Sequence, residues 1–425
     1  MKQYLIVILL FILNTKAQTQ QTGYFMDPAA NPIVQLNQNR LVSPADSVYF
    51  EPFFRKLDSL VCFGSGKINI VHVGGSHIQA DIYTHQVRKS LQSIQYDMNG
   101  GRGLIFPFSM AQTNNPSNYK VSYTGSWRFC KSTKIMLGCP LGLTGMSVIT
   151  EGNATIQIDI NADSSIAYRF DRLRVYHLPS DFRLYLQSGD SLLSGQYIPE
   201  QGYSLFYAPN SDKIKLVIER PDSTVHNFTL LGLWPETDGP GLVYHAVGVN
   251  GASLSSYLAC DLFALNLASL NPDLIIFSIG TNDANTRSFD GEKYYLEYSQ
   301  LLSKCMEACP GASILLTVPN DAFYHARYVN QNVPLLRKEI YRLATSNNYG
   351  VWDFFAIMGG IGSSQVWYNQ QLMRYDRVHF TKEGYYLKGN LLTSALLNGW
   401  EKNLETRYHE NNLQSTAPLA VKIKP

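Results

Sequence analysis

Five short, predominantly apolar runs set the strongest limit on how this chain can fold: 67–74 (Lys-Ile-Asn-Ile-Val-His-Val-Gly), 242–249, 273–279, 313–318 and 350–354. Strands of continuous apolar character are buried on both faces, which requires helices above and below a parallel sheet. Helical periodicity fills the intervals, near 82–95, 253–269, 292–308, 334–347 and 382–397. The pattern predicts a doubly wound α/β domain.

Between residues 111 and 238 the texture changes to short period-two segments, among them Thr155–Ile160, Phe182–Gln187 and Lys213–Glu219, separated by Gly, Pro, Asn and Ser-Asp turns. Without intervening helices these read as an antiparallel β-sandwich of about 120 residues placed inside the α/β domain. That the strands extend the same sheet is the alternative. The expected division is 49–112 and 239–400 for the two parts of the α/β domain and 113–238 for the insertion, with polar extensions at 18–48 and 401–425.

Residues 1–17 stand apart. Lys2, an apolar stretch from Tyr4 to Leu13, and Ala17 after Thr15-Lys16 have the order of a secretory signal with its cleavage site. That stretch is about half of the roughly 20 residues a membrane span needs, and no later segment is long and apolar enough to serve. No cysteine follows it to carry a lipid anchor. The expectation is an exported protein, secreted or periplasmic in a bacterial envelope, without a membrane span. The count of 35 basic and 33 acidic residues gives a net charge of +2, which falls to zero once Lys2 and Lys16 are removed. With no basic run, nucleic acid is not an expected partner, and recognition should rest on shape, stacking and hydrogen bonds rather than bulk charge. A composition 45% hydrophobic and 16% charged supplies sizeable cores and excludes a disordered or coiled-coil chain. Oligomeric state is left open.

Six cysteines are too few for a disulfide framework in a chain of this size. Cys130 and Cys139 could close a hairpin. Cys305 and Cys309, spaced i to i+4, read as buried thiols rather than metal ligands.

Chemistry concentrates where strands end. Ser76 lies in Val73-Gly74-Gly75-Ser76-His77, where the first strand turns towards its helix. Ligands bind at the carboxyl ends of such strands, and a helix amino terminus favours negative charge; a plain helix cap is the competing reading. Asp376 and His379, in Asp-Arg-Val-His just before the last helix, could fix an imidazole tautomer and receive a serine proton. Asn250-Gly251 and Gly280-Thr281-Asn282-Asp283 also follow strands. Glycine permits close backbone approach and an asparagine amide is a neutral donor, so both suit an oxyanion hole, although each alone reads as a turn. His72 and His77 flank Ser76 without a zinc spacing and read as core or hydrogen-bonding histidines.

Taken in order, Gly74 to His77, Asn250-Gly251, Gly280 to Asp283 and Asp376 to His379 resemble the four blocks of the SGNH or GDSL hydrolases. That family's fold is a flavodoxin-like sheet. The Gly-x-Ser-His start, the Gly101-Arg102-Gly103 segment and a β-rich insertion between the first two blocks look like secreted peptidoglycan O-acetylesterases, whose inserted module is similar to a carbohydrate-binding module. The resemblance implies Ser76 as nucleophile, His379 as base and then acid, and Asp376 as the orienting carboxylate. It implies an oxyanion hole from the N–H groups of Ser76 and Gly251 and the Asn282 amide, with no metal or cofactor. The implied activity is two-step removal of O-acetyl groups from a polysaccharide, peptidoglycan foremost. The family usually carries aspartate where this chain has Gly75. That motivates one alternative, a non-catalytic glycan-binding cell-surface protein on this scaffold; a second, O-acetyl transfer to a glycan, would use the same residues with a sugar hydroxyl in place of water. Tyr123, Trp127, Tyr203 and Tyr207 in the insertion offer rings to a sugar or to a core, and none is assigned to binding.

Overall fold

The computed structural model describes residues 31–44, 49–134, 139–162 and 166–415; the signal-like segment 1–17 and residues 416–425 lie outside the described residues. Five parallel strands form the central sheet: Lys67–Gly74, Gly241–Gly248, Leu274–Ser278, Ser313–Val318 and Gly350–Asp353. Numbered along the chain, their spatial order is 2-1-3-4-5. The chain winds first to one side of its opening strand and then to the other, which leaves a switch point where the first and third strands end. Register puts Gly74 level with both Gly248 and Ser278. A Cβ on Gly74 would lie 2.5 Å from Ile78 Cγ1 and 2.7 Å from the Ser278 carbonyl oxygen, so glycine is required for the strand to turn there into the helix Ser76–Gln79.

Alternate residues of the first strand enter two cores. Val71 and Val73 face the helices Leu254–Leu258, Phe263–Ser269, Gly291–Ala308 and Asn332–Asn347, while Ile68 and Ile70 face Glu51–Phe63, Tyr83–Gln92 and Lys382–Ser415. The sheet is covered on both sides, as its apolar strands demand.

Three features differ from the sequence expectation. The stretch 253–269 is two helices, because Leu262 donates its N–H to Leu141 of the β-rich region and the helical ladder is interrupted there. The helix Glu51–Phe63 was not expected, although Pro52 near its start, Gly64 after its end and buried Phe53, Phe54, Leu57 and Leu60 are ordinary helix signals. Part of the segment read as a peripheral extension is built into the sheet: Leu41–Val42 pairs antiparallel with Gly350–Asp353, making the sheet mixed. Buried Asn39 there donates to the Leu391 carbonyl and accepts from Trp352 Nε1, each at 3.0 Å.

Between the first two parallel strands lie two antiparallel sheets, of six and five strands. The strand Lys213–Glu219 buries Ile214, Leu216 and Ile218 in strict alternation. These sheets share a hydrophobic core with one face of the parallel sheet. Cys130 and Cys139 form a disulfide, and Cys305 and Cys309 are buried thiols. Of the four aromatics singled out in the sequence, Tyr123 and Tyr207 are exposed, Tyr203 is buried, and Trp127 donates to the Thr124 carbonyl. Among the described residues no helix is long and apolar enough to cross a membrane.

The last helix buries a lysine. Lys388 is 5% exposed, with its ammonium 4.4 Å from the ring centre of Phe354, 4.9 Å from Tyr83 and 5.4 Å from Phe380. Burial pushes its pKa from 10.5 down to about 7; the ring faces favour the charged form and offset part of that penalty. Between those two pH values the unfolded chain holds a proton that the folded chain releases, so stability rises with pH across this window. Lys388→Met should therefore raise stability at pH 7 by about 2 to 4 kcal/mol, at about 1.4 kcal/mol per pH unit less the ring contribution. It should also flatten the rise towards alkaline pH. Urea denaturation at pH 7 and 9.5 checks both.

Candidate active site

Ser76 and His379 are 303 residues apart, yet Ser76 Oγ lies 2.8 Å from His379 Nε2. His379 Nδ1 lies 2.8 Å from Asp376 Oδ2, while Asp376 Oδ1 accepts the backbone N–H groups of Val378 and His379, both at 2.9 Å. Partial burial raises the Asp376 carboxyl pKa, but these three hydrogen bonds outweigh it and hold the group well below the usual carboxylate range. An ionised carboxylate on Nδ1 fixes the tautomer that leaves Nε2 free to accept the serine proton.

The loop bearing His379 is held from several directions. Its backbone folds through Arg377 at φ +50°, and Arg374 N–H donates to the His379 carbonyl at 2.8 Å. Asn320, beyond the end of the fourth parallel strand, donates its amide to the Val378 carbonyl at 3.2 Å. Behind the triad His77 is buried, its ring centre 5.2 Å from that of His379, with Nδ1 2.9 Å from the Tyr385 hydroxyl. Burial, then the charges of Lys388 and His379, push the His77 pKa down and keep it neutral. His72 is buried as well, between Tyr244 Oη at 2.5 Å and Ser278 Oγ at 2.6 Å. Both flanking histidines are thus hydrogen-bonded in the core.

The expected donor loops meet the same strand end. Gly251 sits at φ +83° in a turn closed by Ala252 N–H to the Val249 carbonyl; that backbone conformation strains any residue with a Cβ. Asn282 donates its amide to the Ala252 carbonyl at 2.8 Å, and Asp283 accepts the N–H of Leu254 at 3.0 Å. The two loops are therefore tied to each other. Burial raises the Asp283 pKa to about 6, against the lowering effect of the Leu254 N–H bond. A Cβ on Gly75 would meet the Asn282 amide at 3.3 Å, so that amide approaches the space where the family's aspartate would begin.

Sequence reasoning missed Gln79. Its Oε1 accepts Asn250 N–H at 2.7 Å, while its Nε2 donates to Thr113 Oγ1 at 3.1 Å and to the Asn114 carbonyl at 3.0 Å. One buried amide thus fixes the Gly251 turn relative to Ser76, and no local pattern announces it. Arg102, read as part of a family segment, is structural: with Arg88 it pairs Asp81, whose burial would raise the carboxyl pKa but whose two guanidinium partners lower it well below the usual range. Among the described residues no group of three His, Cys, Asp or Glu side chains is arranged to hold a metal ion.

An alcohol, an imidazole and a carboxylate bonded in series are equipped for acyl transfer, and the Asn282 amide stands close to Gly75, the residue before the alcohol. Residues 221–387 match the GDSL-like lipase/acylhydrolase family, a span that includes Gly251, Asn282, Asp376 and His379 and omits Ser76, which most of the β-rich region separates from it. Among solved structures, a peptidoglycan O-acetylesterase superposes with a TM-score of 0.72 at 22% identity, covering 85% of this chain and 99% of that one. At that identity the likeness concerns the fold. An acetyl xylan esterase (23% identity, 37% of this chain, 82% of that one, TM-score 0.29) and a lipase/acylhydrolase from Enterococcus faecalis (18%, 37%, 75%, 0.29) resemble a smaller portion. No curated protein matches the chain. Over residues 221–387 the chain is similar to the GDSL-like lipase/acylhydrolase family, and it is a carboxylic ester hydrolase with the SGNH fold.

Proposed function

We propose that this hydrolase is an exported carbohydrate acetylesterase that removes O-acetyl groups from a polysaccharide, with O-acetylated peptidoglycan as its substrate. The observation that carries the reading is the unbroken hydrogen-bond series Ser76, His379, Asp376 at the switch point of the sheet. Ser76 Oγ attacks the acetyl carbonyl as its proton passes to His379 Nε2. The tetrahedral oxyanion is held by the N–H groups of Ser76 and Gly251 and by the Asn282 amide. Collapse expels the sugar hydroxyl, which takes the proton from His379. Water then loses a proton to the same imidazole, attacks the acetyl-serine and releases acetate.

Several observations support the finer parts. A structural neighbour that covers 85% of this chain and 99% of its own is a peptidoglycan O-acetylesterase. The Cys130–Cys139 disulfide suits an oxidising compartment, in keeping with the signal-like start. We assign 49–112 and 239–400 to the hydrolase, and 113–238 to an inserted β-sandwich resembling a carbohydrate-binding module. Gly75 does not argue for a decayed scaffold, since every group in the proton-transfer series is already bonded to the next.

The test is acetate release by the purified protein from O-acetylated peptidoglycan and from acetylated xylan. Release from peptidoglycan is expected; release from xylan alone would overturn the substrate, and none from either would overturn the polysaccharide reading. Gln79 provides a second test, as a positioning residue. Gln79→Leu should lower kcat about tenfold with little change in KM, because it loosens one oxyanion donor rather than removing it. Gln79→Glu keeps the acceptor for Asn250 N–H and should recover part of the loss.

A further inference from the structure

Two exposed arginines, Arg374 and Arg327, lie on the loop that bears Asp376 and His379 and on the hairpin tied to it, and the role inferred for them rests on the esterase reading above. The loop 374–379 and the hairpin formed by Phe323–Tyr324 and Tyr328–Val329 are pinned together by one side chain. Arg377 Nη1 donates to the Ala326 carbonyl at 3.0 Å and to the Tyr375 carbonyl at 3.1 Å, and the Arg377 carbonyl accepts Phe323 N–H at 3.3 Å. Arg327 follows Ala326 and Arg374 precedes Tyr375, so the two arginines lie on the two segments that Arg377 ties together. Both are exposed, and neither guanidinium has an ion pair or hydrogen bond among the described residues. Arg374 is close enough to the buried Tyr385 hydroxyl, which bonds His77, for its charge to oppose the effect of burial there.

Neither nearby acidic residue, Asp321 or Asp376, pairs with these arginines. Asp321 is fully buried and accepts both the N–H and the hydroxyl of Ser364. Asp376 is occupied by the His379 ring and two backbone N–H groups. Two exposed guanidinium groups without a partner among the described residues are thus carried by the loop of Asp376 and His379 and by the hairpin tied to it, on a protein whose net charge is close to zero. Guanidinium prefers a planar anion such as a carboxylate.

We infer that Arg327 and Arg374 form a subsite for a carboxylate carried by the acetylated glycan close to its ester, so that the substrate class is an anionic glycan rather than a neutral one.

The experiment compares one O-acetylated, carboxylate-bearing glycan with the same polymer after its carboxyl groups are amidated. The unmodified enzyme should prefer the charged form in kcat/KM, mainly through KM, and lose that preference as salt is raised. In Arg327→Gln/Arg374→Gln the ratio of charged to amidated kcat/KM should fall about tenfold, the effect of two exposed charge pairs. Reading a ratio cancels any general loss of activity. Equal use of both polymers by the unmodified enzyme, or an unchanged ratio in the double variant, would overturn the subsite. Sedimentation of Ser76→Ala protein with the two polymers reads binding without turnover. Preferential binding of the charged polymer, with no acetate released by the unmodified protein, would refute the esterase reading and leave the subsite supported; equal binding would overturn the subsite.

Discussion

Ser76→Ala should lower kcat for acetate release by about ten-thousand- to a million-fold, the range found when the nucleophile of a serine triad is removed. The loss should fall on kcat, because the Ser76 hydroxyl contributes nothing to holding the sugar before attack. Among the described residues its one side-chain hydrogen bond is to His379. The change should therefore leave folding stability within about 0.5 kcal/mol. Residual activity over water would come from the backbone N–H groups and the Asn282 amide, which the substitution leaves in place. Steady-state acetate release and a thermal melt together check the prediction. A loss of activity accompanied by a large drop in melting temperature would point to misfolding instead.

Asp376→Asn should be the second most damaging change, lowering kcat by about a thousand- to ten-thousand-fold. Size is conserved, so the argument concerns protons. Asp376 Oδ1 accepts two backbone N–H groups, and Oδ2 accepts from His379 Nδ1. In the variant, the amide oxygen replaces Oδ1 at the backbone and the NH2 group is turned towards Nδ1. A donor facing Nδ1 selects the tautomer with its proton on Nε2, which can no longer accept one from Ser76. Asp376 is 40% exposed on its side chain, so water can partly relieve this constraint, and the lower end of the range is the better guide. Single-turnover release from an activated acetyl ester measures the step directly. A loss below tenfold would mean that the carboxylate does not set the tautomer.

Some of this architecture was legible in the sequence because it depends on local patterns. Runs such as Leu274–Ser278 and Ser313–Val318 are apolar at nearly every position, and only a sheet covered on both faces accommodates them. The blocks at Ser76, Gly251, Asn282 and Asp376 to His379 could be found because each follows a strand or precedes a helix, the places where backbone donors and a sheet's open end coincide. Other parts depend on partners far away in sequence. The break near Leu262 is set by Leu141, and the strand Leu41–Val42 exists because Gly350–Asp353 offers it an edge. Gln79 looked like any helical glutamine until Asn250 and Thr113 were brought to it. Net charge likewise averaged away the pair Arg327 and Arg374, since a sum over the chain carries no information about place.

Covalent labelling tests whether Ser76 is the nucleophile and whether His379 activates it. The protein is treated with an organophosphonate ester, and the modified peptide is identified by mass spectrometry while acetate release is followed in the same samples. One adduct is expected, on Ser76, forming in proportion to the loss of activity and failing to form in His379→Ala. Full activity in protein modified at Ser76, or complete inactivation with Ser76 unmodified, would contradict Ser76 as the nucleophile.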